Sequence, residues 1–132
     1  MNIKSSQKLV EEAKKVIESI KSDEVKKLNE NGKITLIDIR DIRELWKEGT
    51  IKNSIHIPRG MLEFWLDPQS SYFQEKKIGE MKNIVLFCAL GFRSALATKA
   101  LKEMGFKNVA NASGGFDALK KVGLEVIQKE KK

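Results

Sequence analysis

Two rhythms of apolar residues alternate along this chain, one with the period of a helix and one with the density of a buried strand. Within residues 5–20, Leu9, Val10, Ala13, Val16, Ile17 and Ile20 recur every three or four positions among lysines and glutamates. That spacing predicts an amphipathic helix whose stripe packs on its own domain. Ser22-Asp23 offers a cap for a second helix to about Asn29, ended by Asn31-Gly32. Residues 34–39 form a continuous, β-branched apolar run and predict a central strand. Asp41 with Glu44 three positions later predicts a capping box, opening a short helix with Leu45 and Trp46 on its apolar side and Gly49 at its end.

Residues 54–57 predict the next strand, stopped by Pro58. Residues 59–66 read as a strongly apolar helix broken by residues 67–71, and a polar connection with room for one helical turn runs to Met81. Residues 83–87 are a short apolar run with the signature of a buried strand. After a loop, residues 94–104 repeat at helical spacing and Gly105 supplies a stop. A last strand follows at 107–112, then a flexible turn at Ser113-Gly114-Gly115. A final helix carries Phe116, Leu119 and Val122 and closes at Gly123. Strands alternating with helices imply an α/β fold, a mostly parallel sheet covered by helices on both faces. The expected layout is a single domain, with an amino-terminal helical extension at 1–19, a core at 20–126 and a frayed charged tail at 127–132.

Composition narrows the classes of function. The chain has 132 residues and a formal net charge of +7, but only Arg40, Arg43, Arg59 and Arg93 are arginines, and the lysines are spread along the whole length. A nucleic-acid site clusters its charge, often with interleaved aromatics, so the expected surface is solvated lysine and no nucleic-acid partner is expected. The excess positive charge favours small anions. The longest apolar runs are too short to span a membrane, and no leader or membrane partner is expected. One cysteine allows no internal disulfide, and with one histidine it offers no protein-only metal site, so no cofactor is expected. A free thiol fits a reducing compartment, hence a cytoplasmic expectation.

Candidate chemistry concentrates at Cys88-Ala89-Leu90-Gly91-Phe92-Arg93, where the strand at 83–87 ends and a helix begins. In parallel sheets ligands sit at the carboxyl ends of strands. The first-turn amides of a helix have no partners within it, and the macrodipole adds partial positive charge there. Gly91 lets the loop curl into an anion nest, and Arg93 adds a permanent cation. A thiol so placed ionises readily; a buried, inert cysteine is the alternative. His56 lies in a short apolar run and reads as a core histidine with a satisfied hydrogen bond, the alternative being a catalytic base.

The ordered pieces resemble a single-domain rhodanese. They are residues 36–40, Glu44, residues 49–51 and 53–58, the Cys88–Arg93 loop with Ser94, Met104-Gly105-Phe106, and Gly114-Gly115-Phe116. The run at 58–65 and the helix before Ile20 resemble a bacterial subgroup. Thr50 and Leu119 depart from the family pattern as packing changes, and hydrophobic Leu90 and Phe92 bear on which donor or acceptor is used. The resemblance implies a five-stranded sheet and a sulfurtransferase in which Cys88 takes a sulfane sulfur from a donor such as thiosulfate as a persulfide. A thiol, cyanide or a protein sulfur-relay partner then accepts it. Ala89, Leu90, Gly91, Phe92 and Arg93 form the anion cradle, and Arg93 either binds the donor or braces the loop. Asp38 and Arg40 either approach the site or pair to brace the strand ends. Arg59 is a weaker candidate for contacting an anionic donor, and Glu44 is structural. The apolar helix and polar loop between Gly60 and Met81 suggest a wall or lid over the site that Trp65 could report on, with ordinary core packing the alternative for Trp65. Cysteine phosphatase or arsenate reductase chemistry and a non-enzymatic sulfur carrier remain as alternatives. Four residues separate Cys88 from Arg93, whereas phosphatases of the Cys…Arg type place five there.

Overall fold

The computed structural model describes residues 2–78, 81 and 83–131. Its elements in chain order are α1 (Ser6–Val16), β1 (Glu18–Ile20), α2 (Ser22–Glu30), β2 (Ile34–Asp38), α3 (Ile42–Glu48), β3 (Thr50–Ile51) and β4 (Ile55–His56). A 3-10 turn at Arg59–Met61 leads into α4 (Leu62–Leu66), followed by α5 (Glu75–Ile78), β5 (Asn83–Phe87), α6 (Phe92–Met104), β6 (Val109–Ala112), α7 (Gly115–Lys121) and β7 (Val126–Ile127). Five strands form one parallel sheet in the order β1-β6-β5-β2-β4, as the α/β reading requires. β3 and β7 form a separate antiparallel pair.

Alternation along the strands divides the core between the two faces. Ile37, Ile39, Ile84 and Leu86 pack with Leu62, Leu66, Ala97 and Leu101 from α4 and α6. Leu36, Val85 and Phe87 pack with Val25, Phe116 and Leu119 from α2 and α7 on the other side. Both faces of the central strands are therefore apolar, which is why β2 and β5 read as continuous hydrophobic runs. The α1 stripe packs on α6 through Val10, Ala13 and Ala95, with Leu9 and Val16 left exposed.

Several boundaries differ from the sequence reading by a residue or two, and three of the differences change the fold or the site. The first helix stops at Val16, because Ile17 turns extended and Glu18–Ile20 pairs in parallel with Ala110–Ala112. Ile20 thereby reaches the second core cluster, and the amino-terminal segment contributes the fifth strand as well as a helix. The apolar spacing suits either period over so short a stretch, and a free β6 edge decides it. Val126–Ile127 pairs with Thr50–Ile51, so pairing extends one residue into the tail assigned as frayed. The helix after the cysteine loop begins at Phe92 and not Ser94, which places Arg93 in its first turn.

Candidate active site

Cys88 follows β5 at the carboxyl end of the central strand, with its side chain almost wholly enclosed. Gly91 adopts φ 99°, a left-handed conformation that an L side chain resists, and this turns the loop back over the sulfur. As a result the Gly91 amide donates to Sγ at 3.2 Å and the Ser94 amide at 3.4 Å. The Ser94 hydroxyl lies 3.4 Å from the same sulfur. Burial pushes the Cys88 thiol up, but the Ser94 hydroxyl and the amides of Ser94, Gly91 and Leu90 outweigh it, leaving the pKa below the ordinary thiol value. The cradle is thus a ring of backbone donors completed by one hydroxyl.

The loop is fastened from behind. The Phe116 amide donates to the Cys88 carbonyl at 2.7 Å, and the Asp117 amide to that of Ala89 at 3.3 Å. Asn111 Nδ2 donates to the Gly91 carbonyl at 3.3 Å, and the Thr98 hydroxyl to that of Ser94 at 2.7 Å. Gly115, at φ 62°, passes so close that a Cβ would sit 2.5 Å from the Cys88 carbonyl oxygen. Ser113-Gly114-Gly115 is therefore a fitted buttress, not the flexible turn its composition suggested.

Arg93 reaches outward from the first turn of α6 and is gripped by Glu44, Nη1 to Oε2 at 2.8 Å and Nη2 to Oε1 at 3.0 Å. Glu44 also accepts from the Asp41 amide at 3.0 Å, completing the capping box of α3. The guanidinium lowers the Glu44 pKa, while Glu44 first and the Cys88 side chain after it favour the charged form of Arg93. Glu44, read from sequence as structural, stands beside the loop; its capping-box position was legible, its partner 49 residues away was not.

Asp38 and Arg40 are fully buried and bound to each other, Nε to Oδ1 at 3.0 Å and Nη2 to Oδ2 at 2.8 Å. Arg40 also donates to the Gly49 carbonyl at 2.8 Å and stacks 4.1 Å from the centre of the Phe116 ring. Of the two roles left open for this pair, bracing is the one the geometry provides; through Phe116 it supports the loop from below. Thr50 is more than a packing change, since its hydroxyl donates to Asp38 Oδ2 at 2.7 Å. His56 Nε2 lies 2.7 Å from the Arg40 carbonyl oxygen, the satisfied histidine expected.

Arg59 is half-buried and paired with Glu63 at 2.7 Å. Trp65 packs against the first core cluster, and its backbone carbonyl accepts from Gln74 at 3.1 Å. The Leu66–Pro68 end of that segment lies beside Met104, Gly105 and Phe106, at the opposite end of α6 from the cysteine loop. Residues 79 and 80 of the 60–81 region that suggests a wall or lid lie outside the described residues. At the mouth, Leu90 and Phe92 are 55% and 54% exposed. Phe92 and Arg93 also border a groove of about 690 Å³ between α1 and α6, walled by Val10, Lys14 and Leu96. No helix among the described residues is long and apolar enough to cross a membrane.

A family model for the rhodanese-like domain matches residues 21–122. A tRNA uridine(34) hydroxylase from Prochlorococcus marinus is 39% identical over 93 residues, which are 68% of this chain and 29% of that protein. The chain thus spans less than a third of that relative's length. A solved structure from Rhodopseudomonas palustris, described as a protein of unknown function and possible tyrosine phosphatase, is 38% identical at TM-score 0.88, covering 96% of this chain and 97% of that one. The polysulfide-sulfur transferase homodimer from Wolinella succinogenes is 36% identical at TM-score 0.68, covering 92% and 86%. With the parallel sheet, the cysteine at the end of its central strand and the ring of amides around it, these matches place the chain in the family of rhodanese-like domains.

Proposed function

We propose that this domain is a sulfurtransferase that carries a sulfane sulfur as a persulfide on Cys88. The observation that supports it is the convergence of the Gly91 and Ser94 amides and the Ser94 hydroxyl on one sulfur atom. Such a ring holds a thiolate ready and can follow the negative charge as it moves one atom outward. With thiosulfate, the thiolate bonds to the outer sulfur, the S–S bond to the sulfonate breaks, and sulfite leaves with the electron pair. The charge then rests on the terminal persulfide sulfur. A thiophilic acceptor such as cyanide bonds to that sulfur, and thiocyanate departs as the Cys88 thiolate is restored. Two displacements replace one difficult transfer. The Wolinella relative makes polysulfide a second donor to test.

A phosphatase is the second reading, favoured by the Cys…Arg loop and by the description of the Rhodopseudomonas structure. Two features argue against it. Four residues between Cys88 and Arg93 make a cradle sized for one terminal sulfur, and the Arg93 guanidinium that would grip phosphate oxygens is held by Glu44. The stretch shared with the hydroxylase is 29% of that protein, too little to carry its activity to this domain. The test is direct. The protein is incubated with thiosulfate or polysulfide, Cys88 is examined for an added sulfur by mass spectrometry, and cyanide is added while thiocyanate is assayed. Persulfide on Cys88 with repeated turnover supports the enzyme, and a single stoichiometric release supports a carrier. Cys88-dependent hydrolysis of an aryl phosphate without persulfide would overturn the reading.

A further inference from the structure

The protein carries excess positive charge, yet every arginine has its own carboxylate. Arg40 pairs with Asp38 at 2.8 Å, Arg43 with Asp41 at 2.8 Å, Arg59 with Glu63 at 2.7 Å and Arg93 with Glu44 at 2.8 Å. The consequence is sharpest at the cysteine loop. Arg93 is gripped by the Glu44 carboxylate, so with Cys88 read as the thiolate the three groups together carry one net negative charge. Lys14 lies over the Phe92 ring, 5.5 Å from its centre. Exposed Leu90 and Phe92 add apolar surface to the loop beside them.

A dianion entering such a site meets a guanidinium whose outer edge is already filled, next to a carboxylate and a thiolate that both repel it. A donor with one charge or none at its transferring end escapes most of this penalty and gains apolar contact with the loop. Resting on the sulfur-transfer reading above, we propose that Glu44 is a specificity-determining residue that turns the loop away from dianionic donors and toward organic sulfur donors of low charge. Glu44 acts through Arg93 and takes no part in the displacement.

Two donors isolate the effect. Thiosulfate is a dianion; the methanethiosulfonate anion replaces one anionic oxygen by a methyl group. It delivers its outer sulfur to the thiolate in the same way, with methanesulfinate leaving with the electron pair of the broken S–S bond. Glu44→Gln is the variant, because glutamine still accepts from the Asp41 amide and preserves the capping box. Wild-type protein should use methanethiosulfonate with the higher kcat/KM. In E44Q the KM for thiosulfate should fall by about fivefold, the order of one removed charge at this range, while that for methanethiosulfonate changes less than about twofold. Added salt should narrow the wild-type difference between the donors. Equal changes for both donors, whether loss or gain, would overturn the proposal and leave Glu44 as a brace. Failure of both donors to form a persulfide on wild-type Cys88 would instead overturn the sulfur-transfer reading, and the proposal with it.

Discussion

Phe116, the first residue after the paired glycines, donates its amide to the carbonyl of Cys88 at 2.7 Å and lays its ring 4.1 Å from the Arg40 guanidinium. One residue thus joins the reactive loop to the buried ion pair beneath the sheet end. Gly115 makes this approach feasible, since a Cβ there would meet the Cys88 and Ala89 carbonyls at 2.5 and 2.6 Å. Gly115→Ala should therefore lower stability by about 3 kcal/mol, through overpacking and an unfavourable positive φ. The loss should appear as a reduced Tm, and the surviving folded protein should form persulfide more slowly. An unchanged Tm would show that the loop can move aside at little cost.

Ser94 contributes two of the donors to Cys88 Sγ, and Ser94→Ala removes only the hydroxyl. The pH midpoint of iodoacetamide alkylation should lie below the ordinary thiol value in the wild-type protein and move upward in the variant. Sulfur transfer at neutral pH should fall about tenfold, on the order of 1.4 kcal/mol in the barrier. The thiol pKa is lower folded than unfolded. Its contribution to stability is therefore present above the unfolded value and lost as pH falls through the folded one. A midpoint that does not move would remove the hydroxyl from the account of thiolate stabilisation.

Asp38 accepts from Arg40 and Thr50 at full burial, so Asp38→Ala takes the close carboxylate from a buried guanidinium and leaves it only the Gly49 carbonyl and Glu48 at 3.9 Å. The expected cost is about 3–5 kcal/mol in chemical denaturation. Thr50→Val should cost about 2 kcal/mol, one hydrogen bond to a buried carboxylate. Stability unaffected by Asp38→Ala, with catalysis alone reduced, would return Asp38 to the reacting site.

Trp65 packs on the core, whereas Phe64 is exposed with its ring edge-on to Tyr72 at 6.2 Å. Trp65→Ala should destabilise by about 2 kcal/mol, below the loss for a fully buried aromatic. Phe64→Ala should change stability by less than about 0.5 kcal/mol. A change of KM for the sulfur donor without loss of stability in Trp65→Ala would support the expectation of a wall or lid.

Lengthening the loop by one residue between Cys88 and Arg93 should weaken persulfide formation, because the amides of Gly91 and Ser94 would no longer converge on one atom. A weak aryl phosphatase activity gained in the same variant would show that loop width separates the two chemistries. Persulfide formation at the wild-type rate would show that the amide ring is not what holds the sulfur.

Local chemistry was legible in the chain wherever a residue's neighbours in sequence are also its partners. Asp41 and Glu44 specify a capping box on their own, the apolar runs at β2 and β5 specify doubly covered strands, and a cysteine before Gly91 at a helix start predicts amides turned toward its sulfur. Other assignments depended on what lies across the fold. Whether Glu18–Ile20 continues a helix or joins a sheet depends on the edge of β6, some ninety residues later. Thr50 and Ile51 become a strand only because Val126 and Ile127 pair with them. The charge of the site was the largest such case. Arg93 looks like a free cation in sequence, and only the packing of α3 beside the cysteine loop brings Glu44 onto it. Sequence patterning can place a charge, but its net effect depends on which opposite charges the tertiary structure brings within hydrogen-bonding distance.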